Sequence, residues 1–110
     1  MTVYVDDVEL PYGRMKMCHM WADTEDELIA FARSLDPKLP RWIQRPPKSS
    51  WVHFDVSKAL KAKAIAAGAV LMDKYGPVEH VARLRGDERG IDRVLKVRAA
   101  FGKPLDGRVI

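Results

Sequence analysis

Apolar positions along the chain switch between a period of two, the mark of a half-buried strand, and a spacing of three to four, the mark of an amphipathic helix. The first run, Thr2-Val3-Tyr4-Val5, is β-branched and aromatic and ends in Asp6-Asp7. The Pro11-Tyr12-Gly13 cluster reads as a turn, and residues 15–22 read as a second strand. Thr24-Glu25-Asp26-Glu27 fits a capping box, and Leu28, Phe31, Ala32 and Leu35 then predict a helix over 25–35. Pro37, Pro40, Pro46 and Pro47 lack backbone donors and make 36–50 a long loop. Residues 51–56 form a third strand. Ser57 is the N-cap of a helix over 58–67 that Gly68 stops, and 69–72 is a fourth strand closed by Asp73. After Gly76-Pro77, Val78, Val81, Ala82 and Leu84 fall on one helical side; Ile91, Val94, Leu95 and Ala99 mark a last helix.

Strands 2, 3 and 4 with their intervening helices have the βαβαβ rhythm of a parallel sheet. The expected fold is therefore α/β in two or three layers. Its sheet has about four mostly parallel strands, the first antiparallel or at an edge, with helices after strands 2, 3 and 4 and a helical extension at the C-terminal end. The expected divisions are a core at 1–76, a helical extension at 77–103 and a tail at 104–110.

Within this framework one pattern recurs. His19-Met20-Trp21-Ala22-Asp23 and Trp51-Val52-His53-Phe54-Asp55 each place a Trp, a His and an Asp on one strand face. If the two segments run side by side in the same direction, two imidazoles and two carboxylates meet. His53, Asp55, His19 and Asp23 are thus candidate catalytic residues. Imidazole with carboxylate suits a divalent ion, zinc or manganese, on His53, Asp55 and His19, or an acid–base pair in which Asp orients His. In a parallel sheet Asp23, Asp55 and Asp73 share the carboxyl edge, where ligands bind. Thr24 and Ser57 already serve as caps, which leaves Asp23 and Asp55 for other work, whereas Asp73 is read as a cap. Asp6 and Asp7 are expected at the opposite edge, outside the site.

Composition adds little at first sight: 110 residues, 47% hydrophobic and 31% charged, suit one ordinary globular domain. No apolar run approaches the ~20 residues of a membrane span, and the first residues lack a signal peptide's basic start and apolar stretch, so a cytoplasmic location is expected. The one cysteine, Cys18, is read as a buried reduced thiol. The net charge of +4 is unevenly spread. Residues 1–35 hold seven acids and three bases, −4; residues 36–77 hold eight bases and three acids, +5; the rest hold eight and five, +3. That polarity suits a phosphate-bearing ligand or nucleic acid. Its binding residues would be Arg41, Trp42 and Arg45 in the loop, with Ser57 and Lys58 at a helix start. Lys58, Lys61 and Lys63 otherwise read as a solvated face. Phosphate-binding Gly-rich loops and a Gly-x-Ser-x-Gly elbow are absent from the sequence.

The opening Val3-Tyr4-Val5-Asp6-Asp7, His19-Met20 with Ala22-Asp23-Thr24, Glu27-Leu28, Trp42, His53-Phe54-Asp55, Lys58 and Ala67-Gly68-Ala69-Val70 together carry a resemblance. On these residues, from Met1 to about Met72, the chain resembles a domain-of-unknown-function family of short bacterial and phage proteins. Relatives more often read His-Tyr-Asp where this chain has His53-Phe54-Asp55. The resemblance implies a shared small fold and site but no reaction. Two readings stay open: a hydrolase-like or phosphate-handling enzyme using the His/Asp face, and a non-catalytic module that binds nucleic acid or protein, such as a host-modulating phage protein, through the basic 36–50 loop and the lysine helix.

Overall fold

In a computed structural model that describes residues 2–102, apart from the side chain of Tyr12, the chain forms a five-stranded sheet with helices on both faces. The expected tail at 104–110 lies outside the described residues. The order is β1 (Val3–Asp6), β2 (Leu10–Tyr12), β3 (Met15–Ala22), α1 (Glu25–Leu35), a 3₁₀ turn (Leu39–Trp42), β4 (Phe54–Ser57), α2 (Lys58–Ala66), β5 (Val70–Met72), α3 (Gly76–Leu84) and α4 (Glu88–Phe101). The α/β class holds, with α1, α2 and α3 following strands as expected.

The mostly parallel sheet does not. β3 is central: β1 and β2 pair antiparallel with one of its edges and β4 antiparallel with the other, since Met20 opposes both Val5 and Phe54. Among the described residues only β1 with β5 is parallel. A lone crossover helix would return the chain to where β3 began. Here α1 runs back for roughly 16 Å, and the segment to His53 then travels the length again, pairing Gln44 with His53. β4 therefore starts beside the end of β3 and runs against it. Asp55 consequently lies opposite His19, four residues short of Asp23, rather than sharing one edge with it. The strand expected at 51–56 is shifted to Phe54–Ser57, and β2 occupies part of the expected turn. Pro11 is tolerated there because β2 is short and lies opposite Lys16, with Gly13 (φ +60) starting a two-residue turn into β3.

One sheet face buries Val3, Val5, Cys18, Met20, Phe54 and Val56 against Leu28 and Ala32 of α1 and Ala64 of α2. Thr24 Oγ1 accepts from the Glu27 amide at 3.2 Å and Ser57 Oγ from the Leu60 amide at 3.2 Å, so both helices start where their caps predict. Burial pushes the Cys18 thiol up to about 12, an inert thiol. Lys61 is not on a solvated face: it is buried, its Nζ donating to the Asp6 carbonyl at 3.4 Å and lying 4.0 Å from Asp7, which ties α2 to the end of β1. Asp73, read as a cap, accepts the Tyr75 amide at 3.1 Å just before α3, whose N-cap is Tyr75, and also forms a two-point ion pair with Arg98 of α4 at 2.6 and 3.1 Å. Among the described residues no helix is long and apolar enough to cross a membrane.

The other face carries Tyr4, Trp21 and Trp51, with Tyr4 stacked on Trp21 at 5.7 Å and the two indoles edge to face at 5.8 Å. α3 covers this aromatic layer through Gly76 and His80. A Cβ on Gly76 would meet the Trp21 ring and the Met72 Cβ at 3.0 Å. Gly76→Ala is expected to cost about 1–3 kcal/mol by overpacking, read as a lowered Tm with an unchanged far-ultraviolet spectrum.

Candidate functional site

Beyond the aromatic layer the same face turns polar. Antiparallel neighbours place same-face residues directly opposite one another. The register sets His19 against Asp55, and continuing it sets Trp21 against His53. The period-two pattern therefore still assembles the site, although the strands run oppositely. His19 and His53 ring centroids are 5.4 Å apart, and Asp55 Oδ1 lies 3.5 Å from His53 Nε2 and 4.0 Å from His19 Nε2. One ligand atom from each of the three residues falls within 4.8 Å of the others.

Each imidazole is held from behind. His19 Nδ1 is 2.6 Å from Asp6 Oδ2, while Asp6 Oδ1 accepts the His19 amide at 2.9 Å. His53 Nδ1 faces the Trp51 carbonyl at 3.1 Å; a carbonyl only accepts, so Nδ1 carries the proton. Trp51 also stacks on the His53 ring, 4.2 Å between centroids and 16° between planes. Both rings therefore present Nε2 toward Asp55. The Asp6 hydrogen bond raises the His19 pKa against a smaller opposing effect of burial. Burial lowers His53.

Asp6 was expected outside this site and stands at its base, fully buried. The signal was present: Val3 and Val5 face the core, so Tyr4 and Asp6 must face the other way. The antiparallel β1 then carries Asp6 past Met20 to His19.

The remaining candidates are dispersed. Asp23 lies at the far end of β3, where it accepts from the Tyr4 hydroxyl at 3.0 Å. Beside it burial lowers the pKa of His80, which no sequence pattern singles out. Ser57 caps α2, Lys58 pairs with Glu9 at 2.7 Å, and Arg45 lies 3.7 Å from Glu25. Arg41 and Trp42 are exposed on the 3₁₀ turn, Trp42 at 67%.

Three bonds of about 2.0–2.2 Å around a tetrahedral ion separate ligand atoms by roughly 3.3 Å. The His53–Asp55 distance already matches, His19–Asp55 needs to close by less than 1 Å, and the two imidazole nitrogens, within 4.8 Å of one another, need to close by up to about 1.5 Å through ring rotation. Outer partners on both Nδ1 atoms, one a carboxylate and one a carbonyl, are the support that metal-bound histidines use. A family model described as a protein of unknown function (DUF4031) matches residues 3–85, a span that includes Asp6, His19, His53 and Asp55. No curated protein and no solved structure matches the chain.

Proposed function

The chain belongs to the DUF4031 family, and from that premise we propose that His19, His53 and Asp55 hold a divalent ion, zinc or manganese, as the centre of a hydrolase acting on an anionic ester. The observation that carries this reading is the convergence of two Nε2 atoms and one carboxylate whose supporting bonds are already made on the far side of each ring. Three protein ligands leave a coordination position for water, whose proton the ion makes easier to remove. Asp55, half exposed, reaches the rings from the solvent side, while Asp6 and the Trp51 carbonyl fix them beneath. The net charge of +4 favours an anionic substrate.

The test is calorimetric titration of chelator-stripped protein with zinc and with manganese, followed by thermal unfolding with and without the ion. One-to-one binding and a raised Tm are expected. An unchanged Tm with both ions removes the metal from the proposal.

The opposite displacement of the two imidazole pKa values supports a second, metal-free reading, in which protonated His19 is the acid and neutral His53 the base. Ester hydrolysis that survives chelation would select it. The binding-module reading has less support, because Arg45 and Lys58 are already paired with acids and Lys61 is buried.

A further inference from the structure

A cavity of about 340 Å³ lies between Trp51 and the α3–α4 pair, inside the ~300–1,000 Å³ range of small-molecule sites. Its walls include Trp51, Val81 and Val94, an apolar surface that leaves no hydrogen-bonding demand on most of a ligand. Arg85 and Arg93 also line it, and neither guanidinium has an acidic partner among the described residues. The one carboxylate there among the described residues, Asp87, accepts the Gly90 amide at 2.9 Å as the cap of α4. Trp51 is the wall between this cavity and the triad, for the same indole stacks on His53.

We infer that this cavity is a binding subsite for an organic anion, its apolar body against Trp51, Val81 and Val94 and its phosphate or carboxylate on Arg85 and Arg93. The inference rests on the hydrolase reading and deepens it by naming the substrate class, an ester with an apolar or aromatic body that carries, apart from the ester group to be cleaved, an anionic group for the two arginines. Two unpaired guanidiniums beside an apolar wall complement that combination, whereas a bare anion leaves the wall unused and a neutral aromatic leaves the charges unused. The family match ends at residue 85, so Arg93 and Val94 are supplied by α4 beyond it. A triad inside the family region is thereby joined to a specificity pocket completed by this chain's own extension.

The experiment is isothermal titration of chelator-treated full-length protein with 1-naphthyl phosphate, 1-naphthol and inorganic phosphate. Saturable one-to-one binding of 1-naphthyl phosphate with a sub-millimolar Kd is expected, and each of the other two probes should bind at least tenfold more weakly. The Arg85→Ala/Arg93→Ala double variant alters exposed side chains only and should weaken 1-naphthyl phosphate at least tenfold with an unchanged Tm. Absence of binding, equal binding of 1-naphthol, equal binding of inorganic phosphate, or indifference to the double substitution overturns the proposal. Because the metal is absent throughout, these outcomes are independent of the zinc and manganese titrations. Failure of the subsite and failure of the metal centre are therefore read separately.

Discussion

Asp55→Ala is expected to weaken divalent-ion binding about 100-fold while leaving the ion-free protein as stable as before. Asp55 has an exposed side chain and makes only long contacts to the two histidines, 3.5 and 4.0 Å, so truncation should move apo stability by no more than about 0.5 kcal/mol. As the sole anionic ligand of the triad, its loss should weaken binding at least as much as the roughly 100-fold upper effect of losing an outer-shell partner. With ion at 100 times the wild-type Kd, binding stabilises the wild type by about 2.7 kcal/mol. For a domain near this size that is a Tm rise of roughly 10–20 °C. In the variant the same ion concentration would only reach its Kd, and the rise should shrink to about 2–3 °C. Differential scanning fluorimetry at matched ion concentrations measures both numbers. An equal rise in the two proteins would remove Asp55 from the site.

Asp6→Asn tests the support beneath the triad, and its two effects run oppositely with pH. In the ion-free protein the Asp6 carboxylate raises the His19 pKa, so the pair stabilises the fold below His19's unfolded value of about 6.5 and loses that effect as pH rises through the folded value. The variant should therefore be less stable by about 1–3 kcal/mol near pH 5.5, with the gap narrowing toward pH 8.5. Ion binding has the reverse dependence, because the ion competes with the proton for His19 Nε2 and gains affinity as pH rises. The asparagine amide can donate to Nδ1 and shift the ring's proton to Nε2, where it blocks the ligand lone pair. A 10–100-fold loss of affinity at pH 8 is expected by calorimetry. Wild-type affinity at pH 8 would show that Asp6 holds the strand end rather than the imidazole.

Local chemistry was legible wherever it depends on neighbours in sequence. Thr24 and Ser57 start their helices, and the alternation in residues 19–23 and 51–55 puts histidines and acids on one face whichever way the strands run. A period-two pattern survives reversal of a strand, which is why His19, His53 and Asp55 meet in an antiparallel pair. Strand direction was not legible, because it depends on how far the 36–53 segment travels after α1, and prolines specify a loop without specifying its span.

The sequence by itself determined the helices, most of the strands and the polar face with its histidines and Asp55, since these follow from side-chain periodicity and capping. Tertiary structure decided which groups became neighbours. Antiparallel pairing brought Asp6 beneath His19 and sent Asp23 to the far end, and the return of α3 and α4 over Trp51 created the cavity beside it. Those outcomes rest on contacts between residues tens of positions apart, and such contacts are set by the path of the whole chain rather than by any local pattern.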